Sequence, residues 1–198
     1  LLNMITGLEK PTAGTVEFAD RNESNVGFVF QKTAVFPWKT VMENVEFAQE
    51  LQGVSKEKRR EQAQYLIELV GLKGFENSYP RQLSGGMKQR VGIARAYCSN
   101  PDVLLMDEPF GALDAQTRYQ MEEEVLRIWE KEKRTVIFVT NNIEEAVYLG
   151  DRIVLLSECP ATVKEIYSLD QLPRPRDYVD PEFLRIREMI EDNMDLAL

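Results

Sequence analysis

Histidine is absent from the sequence, which excludes histidine-based acid–base chemistry and histidine ligands to a metal ion. Cysteine is scarce: Cys98 and Cys159 lie far apart and match no metal-binding spacing, so we expect two reduced thiols. No apolar run approaches the ~20 residues that a membrane-spanning helix requires, and no signal peptide is visible. Two reduced thiols are typical of a cytosolic protein.

Basic residues are also fewer than acidic ones. The 24 lysines and arginines are outnumbered by 33 aspartates and glutamates, which gives a net charge of −9. Such an acidic chain is poorly suited to bind a phosphate backbone through a broad basic surface, so we predict no nucleic-acid partner. The 198 residues, 43% of them hydrophobic, fit one globular domain or one domain with a subdomain.

Hydrophobic periodicity predicts an alternation of strands and helices. Apolar residues at helical spacing in residues 1–8 have no N-cap before them, so we expect the tail of a longer helix and a truncated chain; a short frayed helix is the alternative. The predicted strands are 15–19, 26–30, 103–106, 135–140 and 152–157. The predicted helices are 41–51, 56–72, the segment from 84 to 98, 116–133, 143–149 and a tail helix capped by Asp180. Strands that alternate with helices indicate a parallel α/β sheet.

Two adjacent carboxylates end the most apolar predicted strand. Asp107 and Glu108 follow a run that is typical of a strand buried on both faces of a parallel sheet. Ligands of open α/β folds bind at the carboxyl edge of such a sheet, so this pair is a candidate site. Asp107 suits a magnesium ion, and Glu108 suits positioning or deprotonating a water molecule. The alternative is that the pair only caps the next helix.

A serine and two glycines precede another predicted helix. Ser84 suits the N-cap position, and Gly85 and Gly86 let a ligand approach the backbone. The unpaired N–H groups of a helix N-terminus favour phosphate. Taken alone, however, this pattern fits an ordinary glycine turn better than a binding site.

In combination, these motifs resemble the ATP-binding subunit of ABC transporters. The sequence has LSGGMKQR at 83–90, VLLMDEP at 103–109 and GALD at 111–114, in the order and spacing of that family, and the resemblance covers essentially the whole chain. It implies a P-loop NTPase-like (RecA-like) α/β fold, with a parallel sheet core and an inserted ABC helical subdomain. Residues 31–45 and the tail LPRPR at 172–176 are most similar to importer ATPases for nitrate, sulfonate and taurine.

The resemblance also implies a role for each matching residue. Glu108 corresponds to the catalytic glutamate, and Gln31, at the Q-loop position, and Asn141 complete the catalytic set. Asp107, the Walker B aspartate, and Gln31 are the implied Mg²⁺ ligands. The residues implied to bind ATP are Gln31, Ser84, Gly85, Gly86, Asp114 and Asn141.

Two features depart from the family pattern. The Walker A loop, G-x-x-x-x-G-K-[ST], which in the family precedes the match to residues 1–8, is absent, so we expect a fragment that binds ATP feebly. Asn141 stands where the family has a histidine, and its amide donates a hydrogen bond but carries no charge. These departures support an alternative function, a catalytically degenerate ABC module acting as a structural or regulatory partner in a heterodimer; the intact Glu108 opposes it.

Partners and domains follow from the resemblance as well. We expect transmembrane permease subunits that dock near Phe36 and Trp38, although these aromatics fit the core of the subdomain equally well. A second ATP-binding subunit and, through the permease, a substrate-binding protein complete an ATP-driven importer, with this chain peripheral at the cytoplasmic face of the membrane. The predicted division is a nucleotide-binding core at 1–34 and 99–165, a helical subdomain at 35–98 and a C-terminal extension at 166–198.

Overall fold

A computed structural model describes residues 1–18, 25–32 and 34–194 of the chain. The chain divides into two compact units, the first ending at Val139 and the second beginning at Thr140. The elements of the first unit are, in chain order, α1 (Leu2–Ile5), β1 (Val26–Val29), α2 (Val41–Leu51), α3 (Lys56–Leu69), α4 (Gly85–Cys98), β2 (Val103–Asp107), α5 (Ala115–Lys131) and β3 (Thr135–Val139).

The first unit is built on a parallel sheet in the order β1-β2-β3. The central strand β2 is hydrophobic along its length, and Leu104, Leu105 and Met106 are fully buried. A strand buried on both faces is what the apolar run predicted, because helices cover both sides of a parallel sheet. The parallel α/β core is thereby confirmed, and all three strands end at one edge.

The helices of the first unit begin and end where local chemistry favours it. Thr40 and Glu43 form a capping box at the start of α2, whose predicted bounds are confirmed. Helix α3 ends at Leu69, three residues before the prediction, because Gly71 adopts a φ of +70° and stops the helix there. The three helices α2, α3 and α4 pack against one another, which gives this part of the unit an all-helical core.

The predicted strand at 15–19 is wrong for the part that can be checked. Residues 15–18 are in neither a helix nor a strand and pair with no described strand, and Val16 is exposed. Alternating residues form a strand only when a neighbouring strand satisfies their backbone groups. Ala19 lies outside the described residues.

The second unit contains α6 (Ile143–Leu149), β4 (Arg152–Leu156), β5 (Val163–Ser168) and α7 (Pro181–Asn193). Strand β4 pairs antiparallel with β5, which the sequence did not reveal, so the expectation that the strand at 152–157 belongs to the parallel sheet is wrong. Helix α7 starts as predicted: the Asp180 side chain accepts hydrogen bonds from the Glu182 and Phe183 N–H groups, with Pro181 in the first turn.

The state of the two cysteines agrees with the prediction of two reduced thiols. Cys98 and Cys159 are both free; Cys98 is buried, which raises the pKa of its thiol to about 12, and Cys159 is exposed. None of the helices in the described ranges is long and apolar enough to cross a membrane.

Candidate active site

The carboxylate pair lies at the carboxyl edge of the parallel sheet. Asp107 is the last residue of β2, and Glu108 follows it with a left-handed backbone at φ +40°. The Glu108 N–H donates to the Val139 carbonyl at 2.8 Å, and the Glu108 carbonyl accepts from the Gly111 N–H at 3.1 Å. Glutamate rarely adopts this conformation, and residues held in it by neighbouring contacts cluster at functional sites.

Gln31 meets Glu108 at this edge. The Gln31 amide Nε2 donates to Glu108 Oε2 at 3.0 Å, although 77 residues separate the two in the chain. Gly111 lies against the pair, since a Cβ added to it would be 3.6 Å from both Gln31 Nε2 and Glu108 Oε2. The structure thus brings together two of the residues that the sequence assigned to catalysis.

The carboxylate pair does not cap the next helix, which was the alternative. Helix α5 begins at Ala115, and its N-cap is Asp114. The Asp114 carboxylate accepts hydrogen bonds from the Thr117 N–H at 3.0 Å and the Thr117 hydroxyl at 2.7 Å. These bonds, first the backbone one and then the hydroxyl, lower the pKa of Asp114. Asp107 and Glu108 therefore remain available for another task.

The carboxylate and amide oxygens at this edge are too few to bind a cation by themselves, so further oxygen ligands are needed. Within the described residues, no group of three or more cysteines, aspartates or glutamates could hold a metal ion. Magnesium usually binds through one or two carboxylates and keeps water or phosphate oxygens as its other ligands. Asp107 at the end of β2 offers one such carboxylate, and Gln31, bonded to the adjacent Glu108, offers one amide oxygen.

The residues Ser84, Gly85 and Gly86, which match the signature motif of the family, form a second cluster at the start of α4, the signature cluster. Ser84 is the N-cap, and its hydroxyl accepts from the Met87 N–H at 3.2 Å. Gly85 is exposed, and a Cβ there would meet nothing within 4 Å. At Gly86, by contrast, a Cβ would be only 3.0 Å from Thr117 Cγ2. The N-terminus of helix α4 is therefore open at Gly85 and approaches the first turn of α5 at Gly86.

Thr117 is a contact residue that the sequence reasoning missed. Its hydroxyl bonds to Asp114, and its methyl group touches Gly86, so it joins two predicted ATP-binding positions. The Asp-x-x-Thr spacing at 114–117 signals the capping bond. No sequence signal indicates the contact with Gly86, because that contact depends on how the two helices pack.

Asn141 lies in the second unit, on an anchored loop before α6. Asn141 is exposed, and Asn142 is the helix N-cap, accepting from the Glu144 and Glu145 N–H groups. The buried Glu145 carboxylate accepts a 2.5 Å hydrogen bond from the Thr140 hydroxyl, which in turn accepts from the Asn142 N–H at 3.0 Å. Three side chains thus fix the backbone on both sides of Asn141.

Phe36 and Trp38 lie on a loop whose backbone is fixed by hydrogen bonds to Asn44. Trp38 is 70% exposed, which excludes the core position left open by the sequence. Phe36 packs edge-on against Phe47, with ring centroids 4.7 Å apart. The fully buried Asn44 binds this loop: its amide donates to the Phe36, Lys39 and Thr40 carbonyls, and its oxygen accepts from the Phe36 N–H.

Comparison with known proteins identifies the family. The ABC transporter family matches residues 1–111, which is more than half of the chain. The chain belongs to the ABC transporter family. An uncharacterized ABC transporter ATP-binding protein of Methanocaldococcus jannaschii is 51% identical, over 96% of this chain and 72% of its own length. The nitrate import ATP-binding protein of Synechocystis is 42% identical, over 96% of this chain and 76% of its own length. The taurine import ATP-binding protein of Yersinia pseudotuberculosis is 45% identical, over 96% of this chain and 79% of its own length.

Solved ABC structures have the same fold. A dimeric ATP-binding cassette in a post-hydrolysis state, bound to ADP and Pi, superposes with a TM-score of 0.70 at 34% identity, over 85% of this chain and 78% of that one. The importer-type ABC family, the P-loop NTPase-like fold and the ATPase class predicted from the sequence are therefore confirmed. The catalytically degenerate module is not favoured.

Proposed function

We propose that ATP is hydrolysed at the carboxyl edge of the β1-β2-β3 sheet and that the reaction drives import of a small anion. The observation that carries the proposal is Glu108, held in a left-handed conformation at the end of β2 and bonded to Gln31. A carboxylate next to the Walker B aspartate suits the task of accepting a proton from the attacking water.

Each residue at the edge takes a distinct part in this reaction. Asp107 and the Gln31 amide oxygen would hold Mg²⁺, which would supply positive charge to the phosphate oxygens. The Gln31 bond orients Glu108 through Oε2, so that Oε1 can accept the proton of the water. Asn141 donates an amide hydrogen bond toward the γ-phosphate.

A second copy, or a related ATP-binding subunit, completes the site. Helix α4 has 14 residues, and its first N–H groups lack intrahelical partners, so its N-terminus favours a phosphate group. The open space at Gly85 lets the phosphate of a nucleotide on the other subunit approach the backbone. The dimeric state of the similar cassette bound to ADP and Pi supports this arrangement. In it, Asp114 lies near the neighbouring nucleotide, because Thr117 contacts both Asp114 and Gly86.

The loop at 36–38 is the proposed docking site for the permease. Asn44 fixes the loop backbone, and Trp38 projects a large exposed aromatic surface from it. Exposed, rigidly held tryptophans are frequent anchors of protein interfaces. The chain then lies at the cytoplasmic face of the membrane, and the permease connects it to the substrate-binding protein.

In this proposal the chain has three parts. The nucleotide-binding core is 1–34 with 99–165, the helical subdomain is 35–98 and the C-terminal extension is 166–198.

The names of the similar importers suggest the solutes to test. A protein that includes the Walker A loop is purified with its transmembrane subunits and placed in phospholipid vesicles. Uptake of nitrate, taurine and an alkanesulfonate is then measured with and without ATP. We expect uptake of one of these anions that depends on ATP and disappears in the Glu108→Gln complex. If ATP produces no uptake of any of the three above the Glu108→Gln level, the proposed import of a nitrate- or sulfonate-type anion is wrong.

The docking proposal predicts that Trp38→Ala weakens assembly while leaving the fold intact. An interface anchor of this kind is worth about 2 kcal/mol or more, which is roughly a thirtyfold loss in affinity for the permease. The thermal midpoint should stay within about 2 °C of the parent, because Trp38 is mostly exposed. Phe75→Ala, at another exposed aromatic, is the matched control and should leave co-purification unchanged. Unchanged co-purification of Trp38→Ala would exclude this loop as the anchor.

A further inference from the structure

The tail segment LPRPR, 172–176, carries the least exposed arginine of the described chain. Arg176 is 8% exposed, and its guanidinium donates to four backbone carbonyls, those of Val147, Tyr148, Gly150 and Leu172, at 2.5–3.1 Å. Burial, with a smaller contribution from the charge of Arg174, lowers the pKa of Arg176 to about 10, so the side chain stays charged at neutral pH. A buried charge is costly unless it is satisfied, and here carbonyl oxygens satisfy it.

Two of these carbonyls belong to the last turn of α6, and a third belongs to Gly150, the residue that follows the helix. The last carbonyls of a helix lack intrahelical partners and carry the negative end of its dipole. Arg176 binds those of Val147 and Tyr148, and Arg174 binds that of Leu149 while pairing with Asp151 at 2.5 Å. The two arginines therefore complete the hydrogen bonding of the helix end with positive charge.

Aromatic contacts strengthen the same attachment. Tyr178 stacks on Tyr148 of α6 with ring centroids 4.8 Å apart and planes within 5° of parallel. Phe183 of α7 packs edge-on against Tyr178 at 5.2 Å. The tail thus attaches to one face and one end of α6.

Helix α6 needs such an attachment because it is short. It has seven residues, about two turns, and isolated helices below about 12–15 residues are marginal in water. Its N-terminal end carries the loop of Asn141, fixed by Thr140, Asn142 and Glu145. A rigid two-turn helix transmits the position of its C-terminal end to the loop at its other end.

We propose that Arg176 is a positioning residue for ATP hydrolysis, which holds α6 and thereby places the side chain at position 141. The inference rests on the proposed function, because it assumes that residue 141 faces the γ-phosphate. It gives a role to the LPRPR segment, which contributes no residue to the catalytic edge or to the signature cluster. Arg176 touches no reacting atom; it acts through α6.

The test compares ATP turnover of the assembled transporter carrying Arg176→Gln, Arg176→Lys or Arg185→Gln. Arg185 is an exposed arginine on α7, paired with Glu182, and serves as the control for loss of one positive charge. We expect Arg176→Gln to lower kcat by roughly threefold to tenfold with the KM for ATP within about twofold, because phosphate contacts are unaffected. Arg185→Gln should match the parent. Arg176→Lys should fall between them, because an ammonium has fewer donors than a guanidinium.

A double-mutant cycle with Asn141→His separates positioning from general stability. If Arg176 acts through residue 141, the gain in turnover from Asn141→His should shrink to less than about twofold in the Arg176→Gln background. A folded Arg176→Gln complex with the parent kcat, or an equal gain from Asn141→His in both backgrounds, overturns the proposal. If Arg176→Gln does not fold, Arg176→Lys is judged by the same criteria. Failure of the proposed function looks different: the parent itself would not hydrolyse ATP.

Discussion

In a protein that includes the Walker A loop, Glu108→Gln is expected to remove ATP hydrolysis while ATP binding stays close to that of the parent. The change keeps the size of the side chain, and the new amide oxygen can still accept the Gln31 hydrogen bond. It removes the carboxylate that takes the proton of the attacking water. A positioned general base typically contributes 10²–10⁴-fold in rate, so turnover should fall by at least about 10²-fold.

Steady-state phosphate release and equilibrium ATP binding measure the two parts of this prediction. Glu123→Gln, on the exposed side of α5, makes the same chemical change away from the site and should leave both quantities unchanged. Turnover of Glu108→Gln within a factor of a few of the parent would show that another group accepts the proton.

Asn141→His, made in a protein that includes the Walker A loop, is expected to raise ATP turnover by about tenfold or more. Negative charge builds on the γ-phosphate oxygens as the bond to the leaving oxygen breaks, and a donor aimed at this charge helps more in the transition state than in the ground state. Removing one such donor typically costs on the order of 10²–10³ in rate, and the Asn141 amide retains part of that contribution. The affinity for ATP should change little.

The surroundings of position 141 are suited to this test. Thr140, Asn142 and Glu145 fix the loop through side-chain hydrogen bonds that do not involve Asn141 itself. Asn141 is exposed, so a histidine fits without repacking a core. Adding Glu108→Gln to Asn141→His should abolish the gain. If Asn141→His leaves turnover unchanged while two copies still associate on ATP, residue 141 is not the γ-phosphate sensor.

Local signals in the sequence account for most of the elements. Helix α2 has its predicted bounds because Thr40 and Glu43 specify its start. Strand β2 was recognisable because it is apolar on both faces. Strand β5 was missed because only one of its residues, Tyr167, is buried, so no hydrophobic pattern marks it; it forms by pairing with β4.

The sequence predicted which residues belong to the site, but it did not predict which of them contact one another. Motif spacing pointed to Gln31, Asp107 and Glu108, yet the Gln31–Glu108 bond joins residues 77 positions apart and depends on the order of strands in the sheet. The same holds for Arg176, which the sequence offered only as part of LPRPR. Its carbonyl partners 26–29 residues earlier are brought to it by folding of the second unit.

Sedimentation of a Glu108→Gln protein that includes the Walker A loop tests the central claim most directly, namely that ATP lies between Glu108 of one copy and the start of α4 of another. Mg-ATP should convert a monomer into a dimer, because bound ATP is not consumed. Gly85→Asp in the same background should prevent this, since a carboxylate at the helix N-terminus repels the incoming phosphate without destabilising the helix. A monomer at saturating ATP, or a dimer that forms equally well with Gly85→Asp, would contradict the account.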